Sequence, residues 1–160
     1  AAALQITQDP QGRTFVADRD VSADIRTEAV SDIASRVSAH SPVRRALVAV
    51  QRRVAEAGDL VCEGRDMGTV IFPEAQLKVF LVANARTRAM RRRKDLEAQG
   101  EPLELEELVR KIEERDRRDT SRAASPLEKQ DDMVEIDTSD LSIEQVLERL
   151  QQLVAEQVEQ

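Results

Sequence analysis

The chain has 160 residues, a formal net charge of −7, three Phe and no Tyr or Trp. That length suits one domain; the acidic total disfavours a general nucleic-acid binder, and the lack of aromatics disfavours a base-stacking platform. No apolar run is long enough for a membrane helix, and Ala1–Leu4 lacks the charged and apolar regions of a signal peptide. Cys62, the one cysteine, lies in a strand-like run; it points to a reduced, cytoplasmic protein and is expected to be a small core residue. His40, the one histidine, has no second ligand beside it and is expected at the surface or a helix end. Charged residues make up 34% of the chain and the arginines are clustered, which suits a small anionic ligand.

In chain order, Ala3–Thr7 and Arg13–Ala17 read as strands joined by the turn "DPQG", hence a hairpin. Apolar spacing at Ile25, Ala29, Val30, Ile33, Ala34 and Val37 predicts a helix over 26–39. Ser41 and Pro42 start a second helix, running to about Ala57 and stopped by Gly58. Leu60–Cys62 reads as a short buried strand, and Gln76–Ala83 as a near-continuous apolar strand of a covered parallel sheet. Helices follow at 86–99, ended by Gly100, and at 103–118. "DMVEID", Asp132–Asp137, is a third short strand; Ser142 and Gln145 form a capping box for a last helix with Ile143, Val146, Leu147, Leu150 and Val154 on its buried face. Strands alternating with helices predict an α/β fold with a mainly parallel sheet.

Ligands of such sheets sit beyond the carboxyl ends of the strands, where the sequence places Gly64, Arg65, Asp66 and Gly68. The glycines would allow turns denied to other residues. Arg65 offers a donor fork for phosphate or carboxylate, and Asp66 offers acceptors; the pair could equally be a local ion pair trimming a turn. Leu105, Leu108, Ile112, Arg115, Asp119 and Arg122 fall on one helical stripe, apolar first and charged after. If the helix persists that far, its charged end points inward and needs partners; Arg117 and Arg118 lie off the stripe. Arg88, Arg91 and Arg92 share a helix face with few acidic neighbours, which suits either phosphates or solvent.

"DVSADIRTEAVSDIASRVSAHSPVRRALVAVQRR", "EGRDMGTVIFP", "LKVFLVANARTRAMRRR", "IEERDRRDTSRAASPL" and "LSIEQVLERL" together resemble bacterial-type cytidylate kinase, in order and over essentially the whole chain. The resemblance implies a P-loop nucleoside monophosphate kinase fold and phosphoryl transfer from ATP, with Mg²⁺, to CMP or dCMP. It implies that Ser35, Arg44 and Asp66 recognise cytosine, and that Arg65 and Arg122 hold the acceptor phosphate. Arg115 and Asp119 would lie near that phosphate and the ribose hydroxyls, and Arg88, Arg91 and Arg92 in a lid at about 86–100 that closes on the ATP phosphates. Residues 1–25 would be part of the monophosphate-binding insertion and 26–160 the remainder of the kinase core. A monomer without nucleic-acid or membrane partners is expected. A carboxylate at Asp66 suits the exocyclic amine of cytosine, a donor that uracil lacks.

The sequence contains no G-x-x-x-x-G-K-[ST]. The family's P-loop strand is expected upstream of Ala1, between the strands read at 59–63 and 77–83, whose inner edges would otherwise be unpaired. The alternative is therefore a truncated, catalytically incompetent fragment that binds at most a nucleoside monophosphate or a partner. An RNA-binding reading rests only on Arg86–Lys94 and is opposed by the acidic total.

Overall fold

The computed structural model describes residues 6–9, 11–53, 58–98, 100 and 102–158. The backbone divides into two compact units, residues 1–44 and 45–160.

In the first unit, β1 (Ile6–Gln8), β2 (Thr14–Val16) and β3 (Arg19–Asp20) form an antiparallel meander in that order. The expected hairpin is present and is extended by a third strand; residues 3–5 of its first predicted strand lie outside the described residues. The Gly12 amide donates to the Asp9 carbonyl at 2.9 Å to close the turn, and one Asp9 carboxylate oxygen accepts from the Gln11 and Arg13 amides. Such side-chain acceptance is why Asp favours turn starts. Helix α1 (Glu28–Val37) starts at Thr27, whose hydroxyl accepts from the Val30 amide at 3.3 Å. Its apolar residues Val30, Ile33 and Val37 are exposed, so the periodicity predicted the helix but not burial of that face. His40 is exposed at the start of α2 (Ser41–Arg52), its carbonyl accepting from the Arg44 amide. Residues 54–57, where α2 was expected to end, lie outside the described residues.

In the second unit, β4 (Val79–Val82) and β5 (Val134–Asp137) pair in parallel, Val79 opposite Val134 and Val82 opposite Asp137. Parallel neighbours need a long crossover, and here it consists of α3 (Ala85–Ala98) and α4 (Leu105–Ser121). Asn84 caps α3, its side-chain oxygen accepting from the Thr87 amide at 2.8 Å. Gly100, at φ +78°, takes the left-handed conformation that ends it. Ala89 and Leu96 of α3 are buried against Leu108 of α4, with Leu103, Leu105, Val109 and Ile112 around them. The apolar half of the α4 stripe therefore faces the core as expected. No helix among the described residues is long and apolar enough to cross a membrane.

Three expectations are corrected. Leu60–Cys62 is not a strand: the segment has no regular secondary structure, Val61 is 98% exposed, and Cys62 is an exposed free thiol rather than a core residue. An isolated apolar run has the composition of a strand, but it needs a paired neighbour to become one, and none pairs with it among the described residues. Secondly, the capping box of α5 (Ile143–Val158) forms in both directions, Ser142 amide to Gln145 Oε1 at 2.8 Å and Gln145 amide to Ser142 Oγ at 3.3 Å, yet its predicted buried face is open. Ile143 is 82% exposed and Leu147 and Val154 are exposed, while Val146 and Leu150 are half-buried. Local sequence sets a cap; burial depends on what packs above it. Thirdly, Gly64 and Gly68 do not adopt positive φ. At Gly68 the requirement is space, since a Cβ there would meet Met133 Cε at 3.0 Å and Lys78 Cδ at 3.1 Å.

Leu108→Ala is expected to cost about 2–5 kcal/mol through its cavity, and Ile143→Ala, on an open face, within about 0.5 kcal/mol of zero. Urea unfolding of both variants checks which helix face is core.

Candidate functional site

Helix α4 continues past its apolar half, so its stripe delivers Arg115, Asp119 and Arg122 to one place. Asp119 is only 4% exposed. Its Oδ2 lies 3.3 Å from Arg65 Nε and 3.8 Å from Arg115 Nε, and its Oδ1 lies 3.5 Å from Arg122 Nη1. Oδ2 makes no hydrogen bond among the described residues, so the Arg65 and Arg115 contacts act through charge rather than directed bonding. Arg122, the C-terminal flank of α4, donates through Nε to the Ser125 carbonyl, while its Nη2 is buried without a hydrogen-bond partner among the described residues.

A second carboxylate extends the cluster. Asp116, three residues before Asp119, accepts a bidentate pair from Arg88, at 3.0 Å from Nη1 and 2.6 Å from Nη2. It also lies 3.7 Å from Arg65 Nη1. Arg88 Nε donates to the Ala83 carbonyl, just past the end of β4. The cluster thus begins at the carboxyl end of the parallel sheet, where such folds bind ligands. Four guanidinium groups on two carboxylates leave a surplus of two positive charges, suited to a phosphate dianion. Burial holds the Arg115 and Arg122 guanidinium groups below the usual arginine range; Asp119 opposes this at both, and Arg65 adds to it. Arginine stays charged at neutral pH, so these shifts report crowded, desolvated cations that an anion would relieve.

Of the sequence-predicted residues, Arg65, Arg88, Arg115, Asp119 and Arg122 are brought together. Asp66 follows Arg65 directly and is 7% exposed, at the N-terminal flank of a single π-helical turn, Met67–Ile71. Arg91 donates to the Thr138 hydroxyl at 3.1 Å and to the Thr138 and Leu141 carbonyls, tying α3 to the segment after β5. Arg92 is half-buried on α3. Ser35 and Arg44 belong to the first unit, where both engage Ser38: the Ser35 carbonyl accepts from its hydroxyl at 2.9 Å, and Arg44 Nη1 donates to its carbonyl at 3.2 Å. Ser35 is buried on α1, and its hydroxyl has no hydrogen-bond partner among the described residues. Sequence reasoning missed Asp116; its position one turn before Asp119 was the available signal. No group of three or more His, Cys, Asp or Glu side chains able to hold a metal occurs among the described residues.

A buried carboxylate ringed by guanidinium groups at the carboxyl end of a parallel sheet, in an α/β unit, is an arrangement whose charge suits an anion. The family model for cytidylate kinase matches residues 1–156. The chain is 45% identical over 148 residues to a cytidylate kinase of Geobacter sp. (strain M21), covering 92% of this chain and 64% of that one. It is 52% identical over 133 residues to a cytidylate kinase of Burkholderia vietnamiensis (strain G4 / LMG 22486), covering 83% and 58%. A cytidylate kinase of Exiguobacterium sibiricum is 44% identical over 151 residues, covering 94% and 68%. The chain belongs to the cytidylate kinase family, nucleoside monophosphate kinases whose membership implies the P-loop kinase fold. It spans a little under two thirds of the length of the first of these relatives.

Neutralising Asp119 should leave buried Arg122 unopposed, at a cost of about 3–5 kcal/mol. Asp116 is more exposed and its neighbours are better solvated, so Asp116→Asn should cost about 1 kcal/mol or less. Urea midpoints of Asp119→Asn and Asp116→Asn check the order; equal losses would contradict the placement of Asp119 at the centre.

Proposed function

We propose that this chain provides the acceptor side of phosphoryl transfer from ATP to CMP or dCMP, giving CDP or dCDP. One observation carries the reading: Arg65 and Arg122 converge on a single buried carboxylate, with a surplus of positive charge and an unused Arg122 donor. In this reading an acceptor phosphate takes Arg65 and the Arg122 Nη2 donor. Arg115 and Asp119 hold those groups in place and reach the ribose hydroxyls. Asp66, beside Arg65, accepts from the cytosine amine. For Ser35 and Arg44 the role on the cytosine ring rests on the match of sequence alone.

Phosphoryl transfer asks a protein for positioning and charge neutralisation more than for covalent help. Arginines serve both ends, because the reacting groups are anions brought into contact. Arg88, Arg91 and Arg92 are assigned to the donor phosphates. For Arg88 this means exchanging Asp116 for phosphate, and for Arg91 leaving the Thr138 and Leu141 carbonyls. Magnesium would arrive on ATP; the described residues offer it no carboxylate cluster, and no step is assigned to it. A second reading, binding of a nucleoside monophosphate without transfer, is favoured for the 160-residue chain alone by its lack of a G-x-x-x-x-G-K-[ST] sequence. ATP-dependent CDP formation by the chain separates the two.

Arg122→Ala is expected to lower CMP turnover by about 10³-fold or more. Asp66→Ala should keep turnover but narrow the CMP-over-UMP preference by about 10-fold to 100-fold, the worth of one base-reading contact. Steady-state assays with both nucleotides measure each effect; an unchanged CMP-to-UMP ratio in Asp66→Ala would refute the base-reading role.

A further inference from the structure

The turn that follows Asp66 is held by an arginine outside the cluster. The Asp66 carbonyl accepts from both the Val70 amide at 2.9 Å and the Ile71 amide at 3.2 Å, and the Phe72 amide donates to the Met67 carbonyl at 2.7 Å. This is one turn of π-helix, a rare form that frequently occurs at functional sites. A single turn leaves its last carbonyls without partners along the chain. Arg52, the last residue of α2, reaches them as a fork: Nη2 donates to the Val70 carbonyl at 2.8 Å and Nε to the Ile71 carbonyl at 2.9 Å. At Gly68 the turn runs close to the Met133 and Lys78 side chains, which leave little space for a Cβ there. Arg52 closes its far end.

We propose that Arg52 is a positioning residue that sets base discrimination without touching the nucleotide, by fixing the turn that orients Asp66. The proposal rests on the reading of Asp66 as the base-reading carboxylate. It concerns the base end alone: Asp66 belongs to the turn through its own carbonyl, whereas the Arg65 side chain is held by Asp116 and Asp119. Loosening the turn should therefore disturb recognition of cytosine and leave recognition of phosphate in place.

Arg52 is exposed, so its substitution leaves the core untouched. Lysine keeps the charge but is a point donor that cannot fork two carbonyls. Dissociation constants of the 160-residue chain for CMP, UMP and ribose 5-phosphate, by calorimetry, test the proposal on wild type, R52K and R52A. In both variants the CMP-over-UMP preference should fall by about fivefold or more, while ribose 5-phosphate affinity stays within about twofold. Amide exchange at Val70, Ile71 and Phe72 should quicken in step. A wild-type preference that survives both substitutions overturns the inference alone. So does a loss of ribose 5-phosphate affinity as large as the loss for CMP, which would make Arg52 a general prop. A wild-type chain with no preference for CMP overturns the reading of Asp66, and the inference with it.

Discussion

The Asp119 carboxylate, buried among Arg65, Arg115 and Arg122, is the interaction on which the rest of the site depends. A buried charge survives only when it is paired, and three guanidinium groups more than pair this one. With Asp119 alone the arginines remain crowded and desolvated, which is the surplus that the proposed acceptor phosphate would relieve. Removing the carboxylate would leave the arginines repelling one another; adding more carboxylates would leave nothing for a ligand to do.

The fold supplies this arrangement by economical means. One helix, α4, is apolar where it meets Ala89 and Leu96 of α3 and charged where it passes the end of the sheet. The same stripe therefore anchors the helix and presents the site. Asp116, one turn before Asp119, ties Arg88 of α3 to Arg65, so the two helices and the segment after Gly64 share one electrostatic network. Coupling of this kind makes the residues non-additive: substituting any one changes the charge environment of the rest.

The parts of this arrangement governed by local sequence were legible. The 3-4-3-4-3 spacing from Leu105 to Arg122 announced the charged inward stripe, Ser142 and Gln145 announced a reciprocal cap, and "DPQG" announced a turn; all three are present. What failed depended on distant partners. Leu60–Cys62 has strand composition without a paired strand, and Ile143, Leu147 and Val154 keep a helical stripe with nothing packed over it among the described residues. Arg88 read as unpaired because its carboxylate lies 28 residues away, in another helix. Pairings of that range are set by topology, which a sequence window does not contain. The helical stripe marked Arg115, Asp119 and Arg122 as charges in need of partners, and Arg65 is one of those partners, while Asp116 and Arg52 became visible only through their contacts.

The most direct test is a crystal structure of the chain with CMP bound. The account predicts phosphate oxygens within about 3 Å of Arg122 Nη2 and of the Arg65 guanidinium, with Asp119 still between the arginines. A CMP phosphate seated elsewhere, with Arg65 and Arg122 keeping only Asp119 and the Ser125 carbonyl, would contradict it.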